Sequence, residues 1–131
     1  MGIVAPPSHG ERVAAIRKRL ADIADGDPGP AERALLARLL RSFAAKAPAA
    51  AGELIDLLGD GATTALRERA HALKGSSANI GATALSALCA VVETEARAGL
   101  RPDPATTAQH LRDEVAGVVR AVTEVAESYE R

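Results

Sequence analysis

Aromatic side chains are almost missing from this chain, which has one phenylalanine (Phe43), one tyrosine (Tyr129) and no tryptophan. With so few large flat residues and abundant alanine, a core of closely packed helices is favoured over a sheet. Cysteine is represented only by Cys89, which excludes an internal disulfide and fits a reducing, cytoplasmic setting. No apolar run is long enough to span a bilayer, and the opening residues lack a charged segment followed by an apolar one, so neither a membrane helix nor a secretory signal is expected. Charge of one sign is also lacking. A formal net charge of −1 removes the general case for binding nucleic acid or a membrane surface. Gly59-Asp60-Gly61 lacks the Lys-Ser/Thr that a phosphate-cradling loop requires, so the chain has no nucleotide site and cannot act as a kinase by itself. His9, His71 and His110 stand far apart, and no His/Cys/Asp/Glu group has metal-ligand spacing, so neither a metal nor an intrinsic cofactor is expected.

What is present is helical periodicity from end to end. Residues 1–9 contain proline and glycine and are expected to form a flexible arm, leaving 10–131 as one domain. Val13, Ile16, Leu20 and Ile23 recur at 3–4–3 spacing and predict a helix over about 10–24, stopped by Asp25-Gly26-Asp27-Pro28-Gly29-Pro30. The next helix starts near Pro30, with Leu35, Leu36, Leu39, Leu40 and Phe43 expected on its buried side. Pro48 either breaks or kinks it, after which Leu54, Ile55, Leu57 and Leu58 resume the pattern. Thr63 or Thr64 and Thr83 are candidate caps for two further helices, and Gly81 terminates the first of these. In the second, Leu85, Leu88, Cys89, Val92 and Ala96 form an apolar stripe that gives Cys89 a packing role. Leu111, Val115, Val118, Val122 and Val125 then repeat at 4–3–4–3 spacing, a core-facing heptad pattern. Short loops between successive amphipathic helices predict an all-α fold, an antiparallel four-helix bundle with an additional N-terminal helix, consistent with a monomer.

The stretch Ala70-His71-Ala72-Leu73-Lys74-Gly75-Ser76-Ser77 carries the chemistry. At about 100° per residue, Leu66, Ala70, Leu73, Ser77 and Ile80 share one face. Arg67, His71, Lys74, Gly75 and Ala78 lie roughly opposite, on the solvent side. An imidazole is nucleophilic near neutral pH, and a phosphoryl group added to it brings about two negative charges that a neighbouring ammonium stabilises. Lys74, one turn on, supplies that ammonium, and Arg67 adds to the field. Glycine inside a helix costs roughly 1 kcal/mol against alanine, so Gly75 needs a reason, and close approach of another molecule is one. Ser76 and Ser77 are better read as hydrogen-bonding the local backbone than as nucleophiles. The bland alternative is a solvated helical face that happens to carry a histidine and two cations.

The run from Ala70 to Ser77, followed by Gly81, Leu85, Cys89 and Glu93, resembles the signature of histidine-containing phosphotransfer (HPt) domains. These are helical bundles that relay phosphoryl groups between receiver-domain aspartates in multistep two-component signalling. The resemblance implies His71 as phosphoacceptor, Lys74 as phosphate-stabilising group, and Arg67, Gly75 and Ala78 on the face where a receiver docks. Glu93 stands where several members carry a glutamine near the imidazole, which makes it a candidate neighbour of the ring. The implied partners are receiver domains of response regulators and hybrid histidine kinases, with Mg²⁺ held by the receiver. Two other readings stay open: a non-catalytic helical interaction module, or a phosphoacceptor fragment of a chemotaxis-type histidine kinase.

Overall fold

Five helices account for nearly all of the computed structural model, which describes residues 5–100 and 103–131. They are α1 (His9–Ile23), α2 (Pro30–Asp60), α3 (Thr63–Asn79), α4 (Thr83–Arg97) and α5 (Pro104–Glu130), with no strand among the described residues. α2 packs on α5 and α3, α3 on α4, and α4 on α5, which closes a four-membered ring around one core. Two-residue and three-residue connections before and after α3 force antiparallel neighbours. α1 lies outside the ring against α5.

Burial selects one arc of each helix. Leu40, Leu54, Leu58, Leu66, Leu85, Leu111, Val118, Val122 and Val125 are fully buried, and alanines such as Ala47, Ala51, Ala70 and Ala121 let the backbones approach. Valine in α5 gives up a few tenths of a kcal/mol of helix propensity, whereas burying each such side chain contributes about 1.5–3 kcal/mol, so burial prevails. The first half of α2 is covered by a single arc, which takes Leu36, Ala37, Leu40 and Phe43. Leu35 and Leu39 were expected inside but fall beyond that arc and are 50% and 42% exposed; Ile23, at the end of α1, is likewise exposed.

Helix boundaries differ from the sequence expectation in physically simple ways. α1 starts at His9, inside the expected arm, because Ser8 and Glu11 form a capping box: Glu11 N–H donates to Ser8 Oγ (3.1 Å) and Ser8 N–H to Glu11 Oε1 (2.8 Å). Of the arm itself, residues 1–4 lie outside the described residues and Ala5–Ser8 is non-helical. The threonines do not cap. Thr63 and Thr83 are already the first helical residues, because the carbonyls of Ala62 and Ala82 accept from Leu66 and Ser86 at 2.9 and 3.0 Å. α2 runs through Pro48 without a break. Pro48 is exposed, while Phe43 and Ala47 before it and Ala51 and Leu54 after it are buried, so both halves of the helix pack into the same core.

α1 is fixed at two points. Arg12 donates to Glu114 of α5 through Nε (2.9 Å) and Nη2 (2.8 Å), both side chains being largely buried. Gly117 leaves the space for that guanidinium, since a Cβ there would lie 2.4 Å from Arg12 Cζ. At the α3–α4 turn, Gly81 has φ +85°, and a Cβ would lie 2.7 Å from the Ala15 carbonyl oxygen and 2.9 Å from Ile16 Cα. Gly81→Ala therefore incurs left-handed strain of about 1–3 kcal/mol and also a backbone collision. Gly99→Ala, at φ +77° with open surroundings, incurs the strain alone. Thermal unfolding should place Gly81→Ala clearly below Gly99→Ala, with faster amide exchange in α1; equal midpoints would show that the α1 contact carries no stability.

Candidate functional site

α3 buries Leu66, Ala70, Leu73, Ser77 and Ile80 at its C-terminal end, and this turns His71 outward at mid-helix. The imidazole is 69% exposed, yet it is not free to rotate, because Nδ1 lies 2.7 Å from Oε2 of Glu93. Glu93 reaches it from α4, and its carboxylate is only 5% exposed. Lys74 Nζ, one turn beyond His71, donates to the other oxygen, Oε1, and Arg97 Nη2 donates to Oε2 at 3.1 Å. A carboxylate from one helix thus ties together an imidazole and an ammonium from its neighbour. Ser86 Oγ of α4 also donates to the Lys74 carbonyl (3.1 Å), fixing the two helices beside the site.

The electrostatics follow from these contacts. The hydrogen bond from Lys74 holds the Glu93 carboxyl below the ordinary carboxylate range against the opposing effect of burial, and the bond to His71 lowers it further. Glu93 is then ionised near neutral pH and can only accept. In the neutral ring the hydrogen therefore sits on Nδ1, which leaves the lone pair on Nε2. The arrangement presents an oriented, outward-facing nucleophilic nitrogen with a cation one turn away.

Gly75 and Ala78 are exposed on the same side of α3, and with Arg19, Ser76 and Asn79 they line a shallow concavity of about 570 Å³. Among the described residues nothing lies within 4 Å of a Cβ built on Gly75, so no contact among them requires a glycine there. Arg67 stands on that face as well and forms no ion pair among the described residues, so it does not join the His71–Lys74–Glu93 cluster. Arg97 was not singled out from sequence. Its position four residues after Glu93 was the available signal. Ser76 Oγ donates to the Leu73 carbonyl at 3.2 Å as expected, but the buried hydroxyl of Ser77 has no partner, contrary to expectation, since the α3 face it occupies is packed with apolar neighbours. Among the described residues no three His, Cys, Asp or Glu side chains gather as a metal-ligand set.

A family model described as the Hpt domain matches residues 38–121, well over half of the chain and including His71, Lys74, Gly75, Glu93 and Arg97. α1 lies outside the matched region. Comparison with curated proteins and with solved structures returned no match.

The lowered pKa of the Glu93 carboxyl predicts a pH signature. The unfolded carboxyl titrates near its ordinary value, about 4.3. Because the folded value is lower, the stabilisation is complete above the unfolded value and is lost as pH falls through the folded one. Thermal midpoints of the wild type and of Glu93→Gln, compared across the acid range, should keep a constant difference above that value. Below it the difference should move against the wild type; a flat difference throughout would show that the carboxylate is not held as the ion by these contacts.

Proposed function

The chain belongs to the Hpt domain family, the helical phosphotransfer modules of two-component signalling that act with receiver domains, and on that premise we propose that His71 is a phosphorelay nucleophile. Its Nε2 attacks the phosphorus of an aspartyl phosphate on a receiver. The N–P bond forms as the O–P bond breaks, and the aspartate carboxylate leaves. The Nδ1 hydrogen stays in its bond to Glu93 throughout, so no proton has to be removed from the ring. Transfer to a second receiver is the reverse, with an aspartate oxygen as the nucleophile and the imidazole as leaving group. The contact that carries this reading is the one between Glu93 Oε2 and His71 Nδ1, because it orients an otherwise exposed ring and leaves Nε2 as the reacting nitrogen.

In this reading Lys74 stabilises the phosphoryl oxygens and Arg67 contributes to the positive field. Gly75 and Ala78 give the receiver clearance to bring its aspartate, with its own Mg²⁺, against the ring. The protein acts as a carrier rather than as a kinase. The partners are receiver domains of response regulators or hybrid histidine kinases.

Two variants test acceptor and docking face separately. His71→Gln should abolish acid-labile, base-stable labelling by a phosphorylated receiver while the helical signal is retained, since the ring is exposed and Lys74 and Arg97 still hold the Glu93 carboxylate. Retained labelling would remove His71 as acceptor. Gly75→Gln puts bulk on the open face and adds helix propensity, so the fold should be intact or slightly more stable. Transfer from a receiver should fall severely, whereas labelling by phosphoramidate, which needs no broad contact, should be much less affected. Unchanged transfer from the receiver would place docking elsewhere.

A further inference from the structure

Glu93 has two cations, and the phosphoacceptor reading occupies only one of them. Lys74 holds Oε1, while Arg97, on the same helix as Glu93 and four residues further on, reaches Oε2 with a single N–H. Arg97 is 64% exposed, so its guanidinium has room to close on the carboxylate through a second donor. We infer that Arg97 is a positioning residue that becomes the principal counter-ion of Glu93 when Lys74 is drawn to a phosphoryl group on His71; this rests on the phosphoacceptor reading above.

The need arises from charge balance. A phosphoryl group on Nε2 places about two negative charges on its oxygens, with one positive charge left on the ring, beside an ammonium already engaged by a buried carboxylate. One ammonium cannot fully compensate both. A buried carboxylate deprived of its cation either takes up a proton or moves toward water. Either change would weaken its acceptance of the Nδ1 hydrogen and loosen the ring in the state that must present the phosphoryl group to the next receiver. Arg97 avoids this. It stays charged at any relevant pH, and it moves with Glu93 because both belong to α4. No covalent bond changes and no proton is exchanged in the step: the carboxylate passes from sharing Lys74 and Arg97 to relying on Arg97 beside the Nδ1–H of the phosphorylated ring, which itself carries one positive charge. The arrangement depends on residue 93 being a glutamate, since a neutral amide in the same place would need no counter-ion.

The test is the lifetime of phospho-His71 after labelling with phosphoramidate, followed by ³¹P NMR in the wild type, Arg97→Ala, Arg97→Lys, Glu93→Gln and Glu93→Gln/Arg97→Ala. Arg97→Ala should shorten the lifetime by about two- to five-fold, the scale of a partly exposed ion pair. The unphosphorylated protein should unfold near the wild-type midpoint, and Arg97→Lys should restore most of the lifetime. In the Glu93→Gln background the alanine substitution should have no further effect. A wild-type lifetime in Arg97→Ala, or equal shortening with and without the carboxylate, would overturn the inference. Absence of label on His71 in the wild type would instead overturn the phosphoacceptor reading, and the inference with it.

Discussion

A carboxylate that is almost wholly covered must be surrounded by donors, and Glu93 meets that requirement by recruiting His71 and Lys74 across a helix–helix interface and Arg97 along its own helix. The site exists because of this compensation. Exposed ion pairs contribute little and leave long side chains mobile, whereas a covered carboxylate makes each donor's position costly to abandon. The imidazole gains a fixed tautomer and a fixed orientation without being buried. α4, which contributes no nucleophile, is therefore as much a part of the site as α3.

The interface that shelters Glu93 is built from small residues. Cys89, one turn earlier on α4, is fully buried and its thiol is pushed up to about 12 by burial, with the nearby Lys74 opposing only weakly. It remains a protonated, apolar filler, and its small side chain helps α3 and α4 approach closely enough for Glu93 to reach both Lys74 and His71. Ser77, with its unpartnered buried hydroxyl, performs the same spacing role one turn and a half beyond His71 on α3. A core with so few aromatics fits this geometry, because large rings at those positions would hold the helices apart.

Much of this was legible in sequence because helices write their burial at short range. The heptad of α5 and the stripe of α4 are local patterns: every residue named in the first is buried, and in the second all but Leu88, which is half-buried. Where the reading went astray, the deciding partner was elsewhere in the chain. Leu35 and Leu39 look like core until the single covering helix on that side of α2 is known. At Pro48 a break and a kink were both open, and the packing on both sides of it decides for one continuous helix. The ion pair of Arg12 with Glu114 joins residues 102 apart, and no local pattern announces it. Two signals were local and overlooked: the Ser8–Glu11 capping box, and Arg97 four residues beyond Glu93.

The position of α1 links its attachment to the site, although it lies outside the matched family region. Its backbone presses on Gly81, the residue that ends α3 and turns the chain into α4, and Arg19 Nε donates to the Asn79 carbonyl at 3.2 Å. The same Arg19 lines the concavity that Gly75 and Ala78 open beside His71. The angle at which α3 meets α4 decides whether Glu93 reaches His71, and the turn that sets this angle is held from outside by α1. Arg12 fixes α1 to α5, where removing one partner of a buried pair costs about 3–5 kcal/mol, and Gly81 admits it to the α3–α4 corner. A helix remote from His71 is thereby part of what keeps its ring turned outward.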